Sequence, residues 1–254
     1  MSKKVNQKGD SYVKAVEDYK EKYKKEAENL IQTVFPKKVT DLNVLLEDDR
    51  FALKRLLKIG DDVNIPIPDP AEYMIENGDE PAAKKAKMDT VSNNYLQGSK
   101  VLLLPNGVAN TNRNIVELID LVKPHIVELI EHSNHIKMWI AYLIPRIEDG
   151  NNFGVQVQED TMAEARQTEA DAATYLDQIS RYFMTRGKII AKIAKYPHVQ
   201  DIRRTVQELD EKEFISLRLV CCELRNHYAN LHDVIMKNID KIRKPRSSNS
   251  HSMY

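Results

Sequence analysis

Twice in the second half of this chain, from about Gln156 to Lys195 and from about Val199 to Ile242, apolar residues recur at spacings of three and four. The first run contains one glycine and no proline, and the second contains neither. A strand alternates with period two and is usually about 3–10 residues long, so neither run can be part of a sheet. Each reads instead as one very long amphipathic helix. Such a helix is stable only when its apolar stripe is covered by other helices. The spacing therefore commits the chain to an all-α fold.

The rest of the sequence supplies the partners. Tyr12, Val16, Tyr19, Tyr23, Ala27, Leu30, Ile31 and Val34 give a helix from Asp10 to Val34, with Asp10 or Ser11 as cap. Pro36 is expected to break or kink it. Val39, Leu42, Leu45 and Leu46 then suggest a short continuation, and Lys37-Lys38 reads as a solvated face. A second helix is expected from about Asn112 to Ile144, roughly 50 Å long at ~1.5 Å per residue. Ile115, Ile119, Val122, Ile126, Leu129, Ile136, Ile140 and Leu143 form its stripe, and Pro124 should bend it. Trp139 lies beside that stripe and suits a helix or subunit contact. In the third helix Thr161-x-x-Glu164 matches a capping box, an earlier start of the helix being the alternative, and Ala163, Ala165, Ala170, Ala172 and Ala173 allow close approach of neighbours. Four long helices make an elongated antiparallel bundle.

One interval differs. Between Gly60 and Asn106 lie Pro66, Pro68, Pro70, Pro81 and Pro105, with turn signals at Asp61-Asp62, Asn77-Gly78 and Gly98-Ser99. It reads as an irregular linker, ordered at its ends. The expected organisation is a single domain. Residues 1–59 carry helix one and the Pro36 break, and 60–106 the linker. Residues 107–145 carry helix two, 146–154 a loop, 155–242 helices three and four, and 243–254 a C-terminal tail.

Composition removes several function classes. Lys plus Arg and Asp plus Glu are both 38, so no basic excess points to nucleic acid. No run approaches the ~20 apolar residues of a membrane span, and no apolar signal region follows the polar N-terminus. The two cysteines, Cys221 and Cys222, are adjacent on a helical pattern and read as reduced buried thiols. There is no phosphate loop and no dinucleotide fingerprint, so no ATP site or other cofactor site is expected. A di-iron bundle needs inward carboxylates and two Glu-x-x-His motifs. Here Glu128 with His132, Glu131 with His135, and Glu223 with His227 are all spaced by four. His132-x-x-His135 could face one metal, but without matching carboxylates it reads as a solvated or packed histidine pair. No catalytic set emerges, and the chain is expected not to be an enzyme.

The connection between the second and third helices carries the most distinctive wording: Pro145-Arg-Ile-Glu-Asp-Gly-Asn-Asn-Phe-Gly154. Pro145 discourages further helix, and Asp149, Gly150, Asn151 and Asn152 are turn formers. An ordinary αα-hairpin turn accounts for that chemistry. The order of residues, however, resembles the activation loop of the REG (11S) family of proteasome activators. The resemblance continues through Leu176-Asp-Gln-Ile-Ser-Arg-Tyr182, Lys192-Ile-Ala-Lys-Tyr-Pro-His198 and Asp210-Glu-Lys-Glu213, from Phe35-Pro-Lys-Lys38 to the C-terminus. Within that family it is similar to the gamma type, whose linker is short and basic.

The resemblance implies a homoheptameric ring that activates the core proteasome without ATP. It assigns Arg146, Ile147, Glu148, Asp149, Gly150, Asn151, Asn152, Phe153 and Gly154 to contacts that open the gate of the proteasome α-subunit ring, and Met253 and Tyr254 to a binding tail. Lys188, beside the unusual mid-helix Gly187, matches a channel-facing lysine that affects peptidase specificity. Lys84, Lys85 and Lys87 form a linker cluster that otherwise reads as solubilising charge. By resemblance they are a nuclear-localisation signal, placing the protein mainly in the nucleus and also in the cytoplasm. Loop and tail are distant in sequence, so gate opening and binding are expected to be separable. The rival expectation is a helical scaffold or adaptor without proteasome activity, and behind it a bundle metalloenzyme.

Overall fold

The structure, a computed structural model, describes residues 2–60, 62–69, 104–146, 148, 150 and 152–246, the side chains of 2–10 excepted. All regular structure among them is helical. α1 spans Ser2–Asn29, a π-helical turn Leu30–Val34, and α2 Phe35–Glu47. Two 3₁₀ segments, Asp49–Phe51 and Leu53–Lys58, follow. The long helices are α3 (Arg113–Leu143), α4 (Phe153–Lys195) and α5 (Gln200–Arg243).

Cross-helix contacts fix the directions. Tyr23 stacks on His135, Lys38 pairs with Glu128, and Arg50 pairs with Glu117, so α3 descends as α1 and α2 rise. Gln158 meets Leu143, and Lys137 pairs with Glu169, so α4 runs against α3. Asn230 with Glu164, and Tyr182 with Asp210, set α5 against α4. Asn43 with Arg225 sets α5 against α2. These contacts close an antiparallel four-helix bundle in which α1 and α2 together form one member.

Trp139, Tyr228, Phe35, Phe214, Leu42, Ile126, Leu129 and Leu224 are fully buried at its centre. Each such side chain contributes about 1.5–3 kcal/mol through loss of apolar surface to water. Trp139 packs within this chain's own core. His132 lies 2.9 Å from the Tyr228 hydroxyl, and His135 stacks on Tyr23 with ring centres 3.8 Å apart. Both histidines are thus engaged in packing, and burial lowers the His132 pKa. Cys221 and Cys222 are free thiols, and burial pushes Cys221 up to about 12. No helix among the described residues is long and apolar enough to cross a membrane.

Four local expectations are revised. Helix one begins at Ser2 rather than Asp10. Pro36 does not break it. The preceding turn widens instead, with the Phe35 amide donating to the Leu30 carbonyl, and dihedrals at Val34 and Phe35 remain helical. Pro36, which has no N–H to donate, follows directly on this widened turn, and the turn accommodates it. Lys38 is not solvated: its side chain is 13% exposed and paired with Glu128. Thr161 is not a cap. It lies inside α4, buried, and its hydroxyl donates back to the Val157 carbonyl at 2.8 Å.

The described ends of the linker are pinned together. Asn64 Nδ2 donates to the Asn106 carbonyl at 3.0 Å, and Asn106 Nδ2 to Asn64 Oδ1 at 3.3 Å. Ile65 packs with Ile193 and Val206 in a small separate core beneath this crossing.

Candidate functional site

Antiparallel pairing puts the C-termini of α3 and α5 and the N-terminus of α4 at one end of the bundle. A buried amide holds the three together. Gln158 Nε2, on the first turns of α4, donates to the Ile242 carbonyl at 2.7 Å and the Leu143 carbonyl at 3.2 Å. These carbonyls belong to helix C-terminal turns, where intrahelical donors run out. Gln158 therefore fixes the exit points of both helices against the start of α4.

Two segments leave from this point. The loop between α3 and α4 turns at Gly150, whose φ of +83° favours glycine. Arg146, Glu148, Asn152 and Phe153 are exposed, Phe153 at 72%. The second segment is the root of the C-terminal tail, Lys244–Arg246. Arg246 reaches into the loop: Nη1 donates to Glu148 Oε2 at 2.8 Å and Nη2 to Asn152 Oδ1 at 3.2 Å. Asn152 is the residue before α4, yet its side chain makes no cap bond to the helix. Beneath this pair the backbones nearly touch, with buried Gly154 against Pro245. The loop and tail root, distant in sequence, form one structural unit.

Of the other candidate residues, Lys188 is exposed on α4, and Gly187 beside it has open space where a β-carbon would stand. Ile147, Asp149, Asn151, Met253, Tyr254, Lys84, Lys85 and Lys87 lie outside the described residues. Gln158 and Arg246 were not identified from sequence. Gln158 could have been: with Thr161, Ala165, Thr168 and Ala172 it continues one helical face, so a large polar residue stands in a line of small inward ones.

A second polar cluster secures the opposite end of α4. Asp210, fully buried, accepts from Tyr182 at 2.8 Å, from Arg186 Nε at 3.0 Å and from Asn112 Nδ2 at 2.7 Å. Asn112 also caps α3 through bonds from the Asn114 and Ile115 amides, and donates to the Ile59 carbonyl. Burial, then the neighbouring carboxylate, raises the Tyr182 phenol well above its ordinary range. The cluster locks the start of α3 and the end of the 3₁₀ region onto α4 and α5. Its atoms are mutually satisfied, which marks it as structural.

This geometry has known counterparts. Residues 10–70 match the family model for the N-terminal part of proteasome activator PA28, and 108–252 match that for the C-terminal part. The chain belongs to the proteasome activator PA28 family. Among curated relatives, proteasome activator complex subunit 3 of Homo sapiens and of Gallus gallus are each 51% identical over 243 residues, covering 94% of this chain and 94% of theirs. Among solved structures, the 11S subunit of the Plasmodium falciparum proteasome, PA28, superposes with a TM-score of 0.73 at 28% identity, covering 93% of this chain and 95% of that one. An archaebacterial 20S proteasome–PA26 complex matches at TM-score 0.53 and 14% identity, over 57% of this chain and 73% of that chain, a likeness of fold.

Proposed function

We propose that this chain is a non-enzymatic, ATP-independent activator of the core proteasome. Seven copies form a closed ring. Each C-terminal tail, ending in Met253 and Tyr254, seats its carboxylate in a pocket of the proteasome α-subunit ring, a charge-assisted contact. One tail binds weakly, and seven tethered tails bind together by avidity. The loop Arg146–Gly154, with Asn151 at its turn, then displaces the segments that hold the proteasome gate shut, and peptide hydrolysis rises. Lys188 faces the ring channel and tunes which peptidase activities respond. Lys84, Lys85 and Lys87 direct the protein mainly to the nucleus, with a cytoplasmic fraction.

The observation that carries this reading is the convergence of loop and tail root on one end of the bundle, tied by Arg246 to Glu148 and Asn152. A docking surface that binds with one segment and acts with another needs both at the same face. Membership of the activator family, and 51% identity to relatives named proteasome activator complex subunit 3, support the partner.

Asn151→Tyr tests it with two readouts on one sample, co-sedimentation with core proteasome and cleavage of fluorogenic peptides. Rings that bind yet stimulate little are expected. Full stimulation would remove the loop's gate role, and joint loss of binding and stimulation would make the loop part of the anchor.

A further inference from the structure

We propose that Arg246 is a positioning residue for gate opening: its guanidinium clamps the α3–α4 loop to the tail root, so that tail seating and loop position are coupled. This rests on the activator reading above, and adds to it a residue that belongs to neither the gate contacts nor the tail terminus.

The geometry sets Arg246 apart from an ordinary surface ion pair, which is screened by water and contributes little. Its side chain is 21% exposed while Glu148 is 67% exposed, so the cation is the sheltered member and the loop carboxylate comes to it. The guanidinium forks to two acceptors four residues apart in the loop, Glu148 Oε2 and Asn152 Oδ1. Asn152 closes the triangle by donating to the Glu148 carbonyl at 3.5 Å. Arginine alone among the cations presents donors in a planar fork of this kind. The backbone that carries it has little freedom: Pro245 lies against Gly154, and Ile242 is held by Gln158.

The consequence is entropic. A free loop must be ordered when it meets the gate, at a cost in conformational entropy for each residue fixed. A loop already held at Glu148 and Asn152 meets its target in a narrower range of positions, which is pre-organisation. Because the clamp stands on the tail root, a tail drawn into its pocket pulls on the same guanidinium. Tail and loop are then separable by mutation at their tips but not at Arg246.

The test compares rings of wild type, Arg246→Ala, Arg246→Lys and Arg246→Glu. Each is titrated to saturation on core proteasome while peptide hydrolysis is followed, and ring mass and proteasome binding are measured in parallel. Arg246→Ala is expected to assemble, to bind, and to stimulate about threefold less or lower even at saturation. Arg246→Lys keeps the charge without the fork and should fall between. Arg246→Glu, which sets two carboxylates against each other, should be worst. If Arg246→Ala only weakens binding and saturated stimulation is unchanged, Arg246 belongs to the anchor and the coupling is refuted. An Arg246→Glu ring that stimulates as fully as wild type at saturation refutes it equally. Should Arg246→Ala fail to bind, the Arg246→Lys ring carries the same comparison. A wild-type ring that does not stimulate defeats the activator reading itself, whereas a stimulating wild type matched by Arg246→Ala defeats only this proposal.

Discussion

Gly154 and Pro245 approach so closely that a β-carbon at residue 154 would overlap the Pro245 carbonyl oxygen and stand 2.6 Å from the carbonyl carbon and Cα. These are backbone atoms, which cannot swing aside as a side-chain tip would. Glycine at 154 is therefore required by the tail root, not by helix conformation.

Gly154→Ala follows as a test of that contact. The first turn of α4 and the tail root must separate, at an overpacking cost of about 1–3 kcal/mol. Thermal unfolding should show a modest loss, while stimulation of peptide hydrolysis should fall much further than stability. Wild-type stimulation by Gly154→Ala would mean that the exit direction of the tail is not critical.

Asp210→Ala removes the acceptor shared by Tyr182, Arg186 and Asn112. Arg186, with its side chain 7% exposed, would be left as a buried unpaired cation, a situation that costs about 3–5 kcal/mol. Denaturant unfolding should report a loss of that size. Arg186→Leu with Asp210→Leu, which removes both charges, should recover part of it.

Glu213 provides a pH dependence. It is buried, and desolvation, aided by Asp210 and opposed by Lys212, raises its carboxyl from 4.5 to about 7. The folded state thus holds a proton that the unfolded state has released. Its effect on stability is absent below the unfolded value and grows unfavourable as pH rises from about 4.5 to 7. Glu213→Gln should match wild type near pH 4.5 and exceed it above pH 7 by about 1–3 kcal/mol. Melting curves across that range check it, and a gap that does not widen with pH would show that Glu213 finds a cationic partner.

Assembly is checked by native mass spectrometry. With chains of 29.3 kDa, particles of about seven copies are expected from a closed ring. Exposed apolar residues on α1, Tyr12 at 71%, Val16 at 50% and Tyr19 at 54%, are available for contacts between copies. A stable monomer at micromolar concentration would contradict the ring.

Much of the fold was legible because its determinants are local. The α3 start follows from Asn112, a capping residue directly before an apolar stripe, and the long unbroken periodicities give α4 and α5. What escaped depends either on residues far apart in the chain or on local geometry that no short motif announces. Pro36 is tolerated because a π turn precedes it, and no short motif announces a Phe35 amide bonding to Leu30. Lys38 looks solvated until Glu128 arrives from another helix. Thr161 and Glu164 fit a capping pattern, but the helix had already begun at Phe153. The loop's turn chemistry could be read at Gly150, while its tie to Arg246 spans 98 residues of sequence and is made only by the folded bundle. The family wording of the loop pointed to a partner, and the bundle geometry explains why loop and tail share a face.

The most direct measurement is the rate of fluorogenic peptide hydrolysis by purified core proteasome, with and without this protein, in the absence of ATP. An increase of severalfold that saturates with added ring, and that disappears when Met253 and Tyr254 are removed while the ring stays intact, is the expected result. An intact wild-type ring that leaves the hydrolysis rate unchanged would contradict activation.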